Sequence, residues 1–304
     1  MNSFRKGLFF VLTTALISGI SIFLNSFAVA SFEPSLFTTL KNIVVAVFLF
    51  SLFFLLKDLK ELKLLSRKNW IQLMTIGLIG GSIPFLLFFN ALAYTTAINA
   101  AFLHKLLFVF VAFLAVVFLK ERINKKVLLA SLLLLLSVIL LFGVSLSSFS
   151  FFDLMILAAT LLWATENIIS KKVLNELSAK TVAFGRMFFG SLFLMVFLLS
   201  TGKISLISTL TLNHFPWLML TSIFLFAYVF TWYNGLKRIP ASLATSILLL
   251  GLPVTALLNS FFLSKTLLPL QLISYFILFS GIILLIKFQE KMFFLNQNIL
   301  GVKK

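Results

Sequence analysis

The chain has 304 residues, 61% of them hydrophobic and only 11% charged, against roughly 45–50% and 25% in soluble domains, which excludes a water-soluble domain and points to a polytopic membrane protein. The formal net charge of +17 would suit nucleic acid. The basic residues, however, fall in short clusters between apolar runs instead of lining one face, so we assign them to membrane topology and expect no nucleic-acid partner. No cysteine is present, which removes disulfides, thiolate metal sites and cysteine nucleophiles.

Ten apolar runs approach the ~20 residues that cross a bilayer: 8–30, 35–56, 70–91, 96–119, 127–147, 153–171, 181–200, 216–236, 241–263 and 268–287. If the amino terminus is cytoplasmic, twenty lysines and arginines collect on the cytoplasmic side and only Lys203 and Lys265 oppose them. A miscounted span would invert everything after it, so this asymmetry supports a multi-pass protein of the cell membrane with both termini cytoplasmic.

The first run, with Arg5-Lys6 before it and Ala28-Val29-Ala30 at its end, imitates a secretory signal. It is longer than the 7 to 15 apolar residues of such a signal, and we expect an uncleaved helix. Ser18, Ser21 and Asn25 give it one polar stripe, suited either to bonding another helix or to lining a cavity. The second span carries Lys41 and Asn42 about two turns below its outer end, where a lysine can snorkel or serve a ligand. Gly77, Gly80, Gly81 and Pro84 predict a packed, kinked third span.

The fourth span, read as one continuous helix, buries His104 and Lys105 in an apolar run, with Asn99 nearer its outer end. A charge at that depth costs ~2.5–3.5 kcal/mol, so Lys105 is expected to face a protein interior or a wet path. His104 is either packed or functional. The fifth and tenth spans offer no chemistry, and the fifth is expected to face lipid. In the sixth, Glu166 is the one acid placed inside a span, and either a proton or substrate site or a pairing with a lysine fits it. Arg186 in the seventh cannot lose its proton, so it must snorkel, pair or hold an anion. His214 reads as a solvated loop residue. Trp232 and Tyr233 read as an interfacial belt, whereas Tyr228 sits deeper and suits a cavity wall. Gly251-Leu252-Pro253 predicts a break in the ninth span. A central path lined by spans 1–4 and 6–9 is expected.

A shift of 144 residues superposes the last two spans of the halves, matching Asn90 with Asn234, Ala97 with Ala241 and Ala100 with Ala244, and brings Lys41 next to Arg186. Five spans per copy is odd, so the copies have opposite orientations. The expected fold is therefore an all-α membrane protein of ten transmembrane helices in two inverted five-helix repeats, residues 1–147 and 148–304.

At Asn90-Ala91-Leu92-Ala93-Tyr94-Thr95-Thr96-Ala97-Ile98-Asn99-Ala100, and again at Phe118-Leu119-Lys120-Glu121-Arg122, the chain resembles the drug/metabolite transporter superfamily and its ten-span EamA-type proteins. These commonly show AL-Y-T-A-NA and a closing L-F-L-G-E-R there. The cations Lys41 and Arg186 also resemble the family's arginine early in the second span of each repeat. Phe108 stands where the family often has proline, Lys105 is unusual for it, and Ser264-Lys265-Thr266 closes the second copy without an acid. The resemblance implies a secondary transporter of small metabolites, amino acids or related compounds, in the export direction. The candidate substrate-binding residues are Lys105, His104, Asn99, Tyr228, Glu166, Lys41 and Arg186, with the bilayer and a small molecule as partners and protons as a coupling ion. No metal site or cofactor is expected. Neither H-E-x-x-H nor G-x-S-x-G occurs, which weighs against the alternative of an intramembrane lipid-modifying enzyme. An uncoupled pore would give no reason for the repeat.

Overall fold

In the computed structural model, residues 2–28, 32–92, 94–143 and 149–299 are described. Val29 to Ser31 of the signal-like ending, Ala93 of the family motif, the division at 147/148, and Lys303 and Lys304 lie outside them. Every element among the described residues is helical: α1 Ser3–Ala28, α2 Pro34–Leu55, the short α3 Leu59–Lys63, α4 Arg67–Gly81, α5 Ile83–Leu92, α6 Ala97–Lys105, α7 Leu107–Leu119, α8 Lys125–Phe142, α9 Phe151–Val173, α10 Ala179–Ser200, α11 His214–Leu236, α12 Ala241–Ile247, α13 Gly251–Leu263 and α14 Pro269–Ile299. Ten spans result, with α4–α5, α6–α7 and α12–α13 each forming one.

Local chemistry starts and stops these helices. Glu33 caps α2 through the Leu36 amide, with Pro34 at the first helical position. Reciprocal caps, Ser66 with Asn69 and Ser150 with Asp153, open α4 and α9. The kink expected in the third span falls at Ser82. Pro84 has no N–H, so the Gly80 carbonyl four residues back loses its helical donor.

The fourth span is not the continuous helix expected. It breaks at Leu106, whose amide is shared between the Phe102 and Leu103 carbonyls at 3.2 and 3.3 Å. The ninth breaks at the matching place, a 3₁₀ turn over Leu248–Leu250 just before Gly251. Both spans also end alike, on a left-handed residue, Lys120 (φ 56°) and Ser264 (φ 52°).

The packing is reciprocal between repeats. α1 lies against α11 and α13 as α9 lies against α4–α5 and α6–α7, and α10 packs on α4 as α2 packs on α11. Where α4 and α10 cross, backbones touch: a Cβ on Gly81 would stand 2.9 Å from the Gly190 Cα, and the reverse distance is the same. α8 is not simply lipid-facing. It packs along α14, and buried Ser137 donates to the Ser274 carbonyl at 2.7 Å, while Leu128, Leu129, Leu132 and Leu136 point outward. The unpaired hydroxyl of Ser137 would be costly there, which is why a leucine-rich helix has a fixed face. His214 is not a loop residue either; it opens α11 with its ring 4.6 Å from that of Phe32.

Candidate functional site

The carbonyl freed by Pro84 is the nucleus of a buried polar cluster. Gly80 O accepts from the Trp163 indole and from Arg186 Nη2, each at 3.1 Å. Gly81 O accepts from Asn42 at 3.1 Å. Side chains of α2, α9 and α10 thus replace the lost helical donors, and the kink binds three other spans.

Glu166, 2% exposed, accepts at Oε1 from Tyr233 Oη at 2.7 Å and from Ser170 Oγ at 2.6 Å. No described residue donates to its Oε2. Arg186 stands beside it across Gly80, where an added Cβ would lie 3.0 Å from the Glu166 carboxyl carbon and 3.2 Å from Arg186 Nε. Attraction between the two charges is present, yet no ion pair joins them among the described residues, and Arg186 Nε is buried without an acceptor. Tyr228, stacked on Trp232, lies within electrostatic reach of both.

Of the residues singled out from the sequence, Glu166, Arg186 and Tyr228 are therefore brought together. His104 joins them indirectly: its ring lies 5.0 Å from that of Trp163, which shares the Gly80 carbonyl with Arg186, and 5.6 Å from that of Phe88. Its Nδ1 is buried without a partner among the described residues. Lys105, half-buried at the end of α6, has neither hydrogen bond nor ion pair among the described residues. Among the described residues Glu166 pairs with no lysine. Asn99 is elsewhere, next to Asp153, whose carboxylate takes the Thr95 hydroxyl at 2.5 Å.

Lys41 occupies a separate position with two-fold logic. It is the eighth residue of α2, as Arg186 is of α10, so the register in this part of the repeat is 145 residues rather than 144. Its Nζ donates to Asn25 Oδ1 at 2.9 Å, and Asn25 donates to Ser21 at 3.1 Å. Counted back from the helix ends, Ser21 and Asn25 in α1 match Glu166 and Ser170 in α9, and both pairs are bonded.

The remaining acids are committed. Glu33 pairs with Lys203 at 2.7 Å, Glu176 with Lys68 at 3.2 Å and Glu290 with Arg5 at 3.3 Å, while Asp58 and Glu61 share Lys180. Burial alone would raise the Glu61 carboxyl, but hydrogen bonds from Ser178, Thr181 and Lys180 outweigh it and hold the group below the usual carboxylate range. Glu121 caps α12 across the repeats, accepting the Ala241 amide at 2.6 Å and the Ser242 hydroxyl at 2.5 Å. Beside it Lys171 donates to the Leu236 and Ile239 carbonyls at 2.5 and 2.7 Å.

Sequence reasoning missed Tyr233, read as an interfacial aromatic but fully buried on Glu166. One signal was available: a shift of 144 residues sets Tyr233 on Phe89, so only the copy holding the buried acid carries a hydroxyl there.

Comparison with known proteins bears on this arrangement. The profile of the EamA-like transporter family matches residues 5–143 and again 150–287. The chain belongs to the EamA-like transporter family. The duplicated match runs through both five-helix repeats and makes the protein a membrane transporter of small molecules. "Uncharacterized transporter YyaM" of Bacillus subtilis (strain 168) is 25% identical over 277 residues, covering 88% of this chain and 90% of that protein. A solved crystal structure, 14% identical, superposes with a TM-score of 0.74 over 95% of this chain and 98% of that one, and supports the fold.

Proposed function

We propose that this EamA-like transporter moves a small zwitterionic metabolite, an amino acid or related compound, outward across the cell membrane by alternating access between the units 1–147 and 148–304. One observation carries the reading. An acid and a guanidinium stand side by side in the bundle without pairing; among the described residues Arg186 Nε is buried without an acceptor, and none donates to Glu166 Oε2. A zwitterion supplies the two missing partners at once, the ammonium to Glu166 and the carboxylate to Arg186. Lys105 and His104, at the break in the fourth span, serve the carboxylate in a second access state, with Tyr228 beside the pair. Asn99 and Lys41 act nearer the outer face. Protons are the proposed coupling ion, exchanged at Glu166 or Lys105.

Two experiments test this. In proteoliposomes given a mixture of ¹⁴C-labelled amino acids, uptake is expected to saturate and to be stimulated by unlabelled amino acids inside. Lys105→Met is expected to leave expression and thermal stability intact while lowering that exchange at least ~10-fold, about 1.4 kcal/mol of lost binding. Wild-type exchange by Lys105→Met removes the residue from the mechanism, and flux that rises linearly with concentration supports a pore instead. For orientation, single cysteines at residues 149 and 206 are expected to react with an impermeant reagent in intact cells, and one at residue 2 is not. The reverse pattern sinks the assigned topology.

A further inference from the structure

We infer that Lys41, with Asn25 and Ser21, forms a second binding site, for the oxyanion of a solute such as a carboxylate or phosphate, near the end of the bundle where α1 finishes and α2 begins. This deepens the role given to Lys41 in the function proposed above, on which it rests only for the placement near the outer face, and requires no particular transported compound.

Three observations carry it. Lys41 is 8% exposed, and its ammonium has three donors, of which one reaches Asn25; the ring of Phe37 lies 4.8 Å away. A buried ammonium ordinarily has a counter-ion, because an uncompensated charge is among the costliest things to bury. The chain holds eight acids, and each is engaged elsewhere: five in ion pairs, and Glu121, Asp153 and Glu166 in the contacts described above. The inverted repeat explains how the vacancy arose. At the position where α9 sets Glu166 toward the cation of α10, α1 carries Ser21, and the amide of Asn25 takes the place of Ser170. The first repeat therefore keeps the cation and lacks the acid, which leaves a buried positive charge whose polar neighbours are neutral.

Its depth favours a solute over a lipid phosphate. Lys41 lies seven residues beyond the start of α2, ~10 Å along the axis at 1.5 Å per residue, and its side chain is turned to α1 rather than outward.

The absence of native cysteine makes the site measurable. With Ser21→Cys, purified in dodecyl maltoside micelles that contain no phosphate, the rates of reaction with anionic sulfonatoethyl and cationic trimethylammonioethyl methanethiosulfonate are compared, each normalised to mercaptoethanol. The anionic reagent is expected to react ~10-fold faster, as a focused positive field concentrates anions. Lys41→Gln in the same background is expected to bring the ratio to about one, and Lys41→Arg to preserve it. Adding inorganic phosphate is expected to slow the anionic reagent. Ser18→Cys, one turn deeper on the same stripe, serves if Ser21→Cys is not monodisperse. An unreactive cysteine in both variants, or a ratio indifferent to Lys41→Gln, overturns the inference. A ratio that holds in micelles but collapses in phosphatidylcholine nanodiscs assigns Lys41 to a lipid headgroup and overturns the solute site. These outcomes do not depend on transport, so failure here is distinguishable from failure of the zwitterion reading.

Discussion

The two repeats share their backbone plan and differ in what they bury. In the second, α9 and α10 set Glu166, Ser170 and Arg186 together, and Tyr233 of α11 completes the cluster. In the first, the same positions hold Ser21, Asn25 and Lys41. Helix starts, breaks and left-handed ends match across the halves, so the fold tolerates either set. The lesson is that the duplicated packing supplies a scaffold, and a few polar substitutions on one copy decide where opposite charges are buried together and where a cation stands alone.

The largest expected effect comes from breaking the charged half. Arg186→Met leaves Glu166 buried without its neighbouring cation, and a loss of about 3–5 kcal/mol is expected, read as a fall in the midpoint of thermal unfolding in nanodiscs. Adding Glu166→Gln is expected to return most of it, and independent effects that simply add would show that the two residues are uncoupled. The matching change in the other half, Lys41→Met, strands the Asn25 carbonyl but also removes a buried charge that has no counter-ion, so a net loss of no more than about 1 kcal/mol is expected. Equal costs in the two halves would erase the contrast.

A smaller effect is expected where the repeats are joined. Glu121→Ala removes the acceptor for the α12 amides, a capping loss of about 1 kcal/mol, and the same unfolding measurement reads it. In the other repeat α6 is capped by its own Thr96, through the Asn99 amide at 3.1 Å. Glu121→Ala is therefore expected to loosen the contact between repeats, seen as faster amide exchange in α12, whereas Thr96→Ala loosens α6 alone.

The ten spans and the duplication were legible in the sequence because the bilayer imposes a length on every apolar run and because Asn90 and Asn234 break the monotony of leucine at matching points. The kink at Ser82 was legible through Pro84. Leu106 was not, since neither glycine nor proline marks it; its counterpart in the second repeat is the 3₁₀ turn at Leu248–Leu250. Glu166, Arg186 and Tyr228 stood out by chemical type. Their grouping with Tyr233 did not, because that contact spans 67 residues of chain. The cap by Glu121 spans 120, and the bond that orients Ser137 spans 137. Pattern reading is local, and these contacts are made by helices packing.

Lys120 and Ser264, which end the fourth and ninth spans in left-handed conformation, carry a consequence for handling the protein. A side chain there costs roughly 1–2 kcal/mol that glycine does not, and the family's closing L-F-L-G-E-R places glycine where this chain has Lys120. Because the glycine also gains freedom in the unfolded chain, the net reserve is a fraction of that figure at each position. Lys57, with φ of 55° just beyond α2, is a third. These three solvent-side turns are accordingly the places to begin engineering a more heat-resistant version of the transporter without touching a single buried contact.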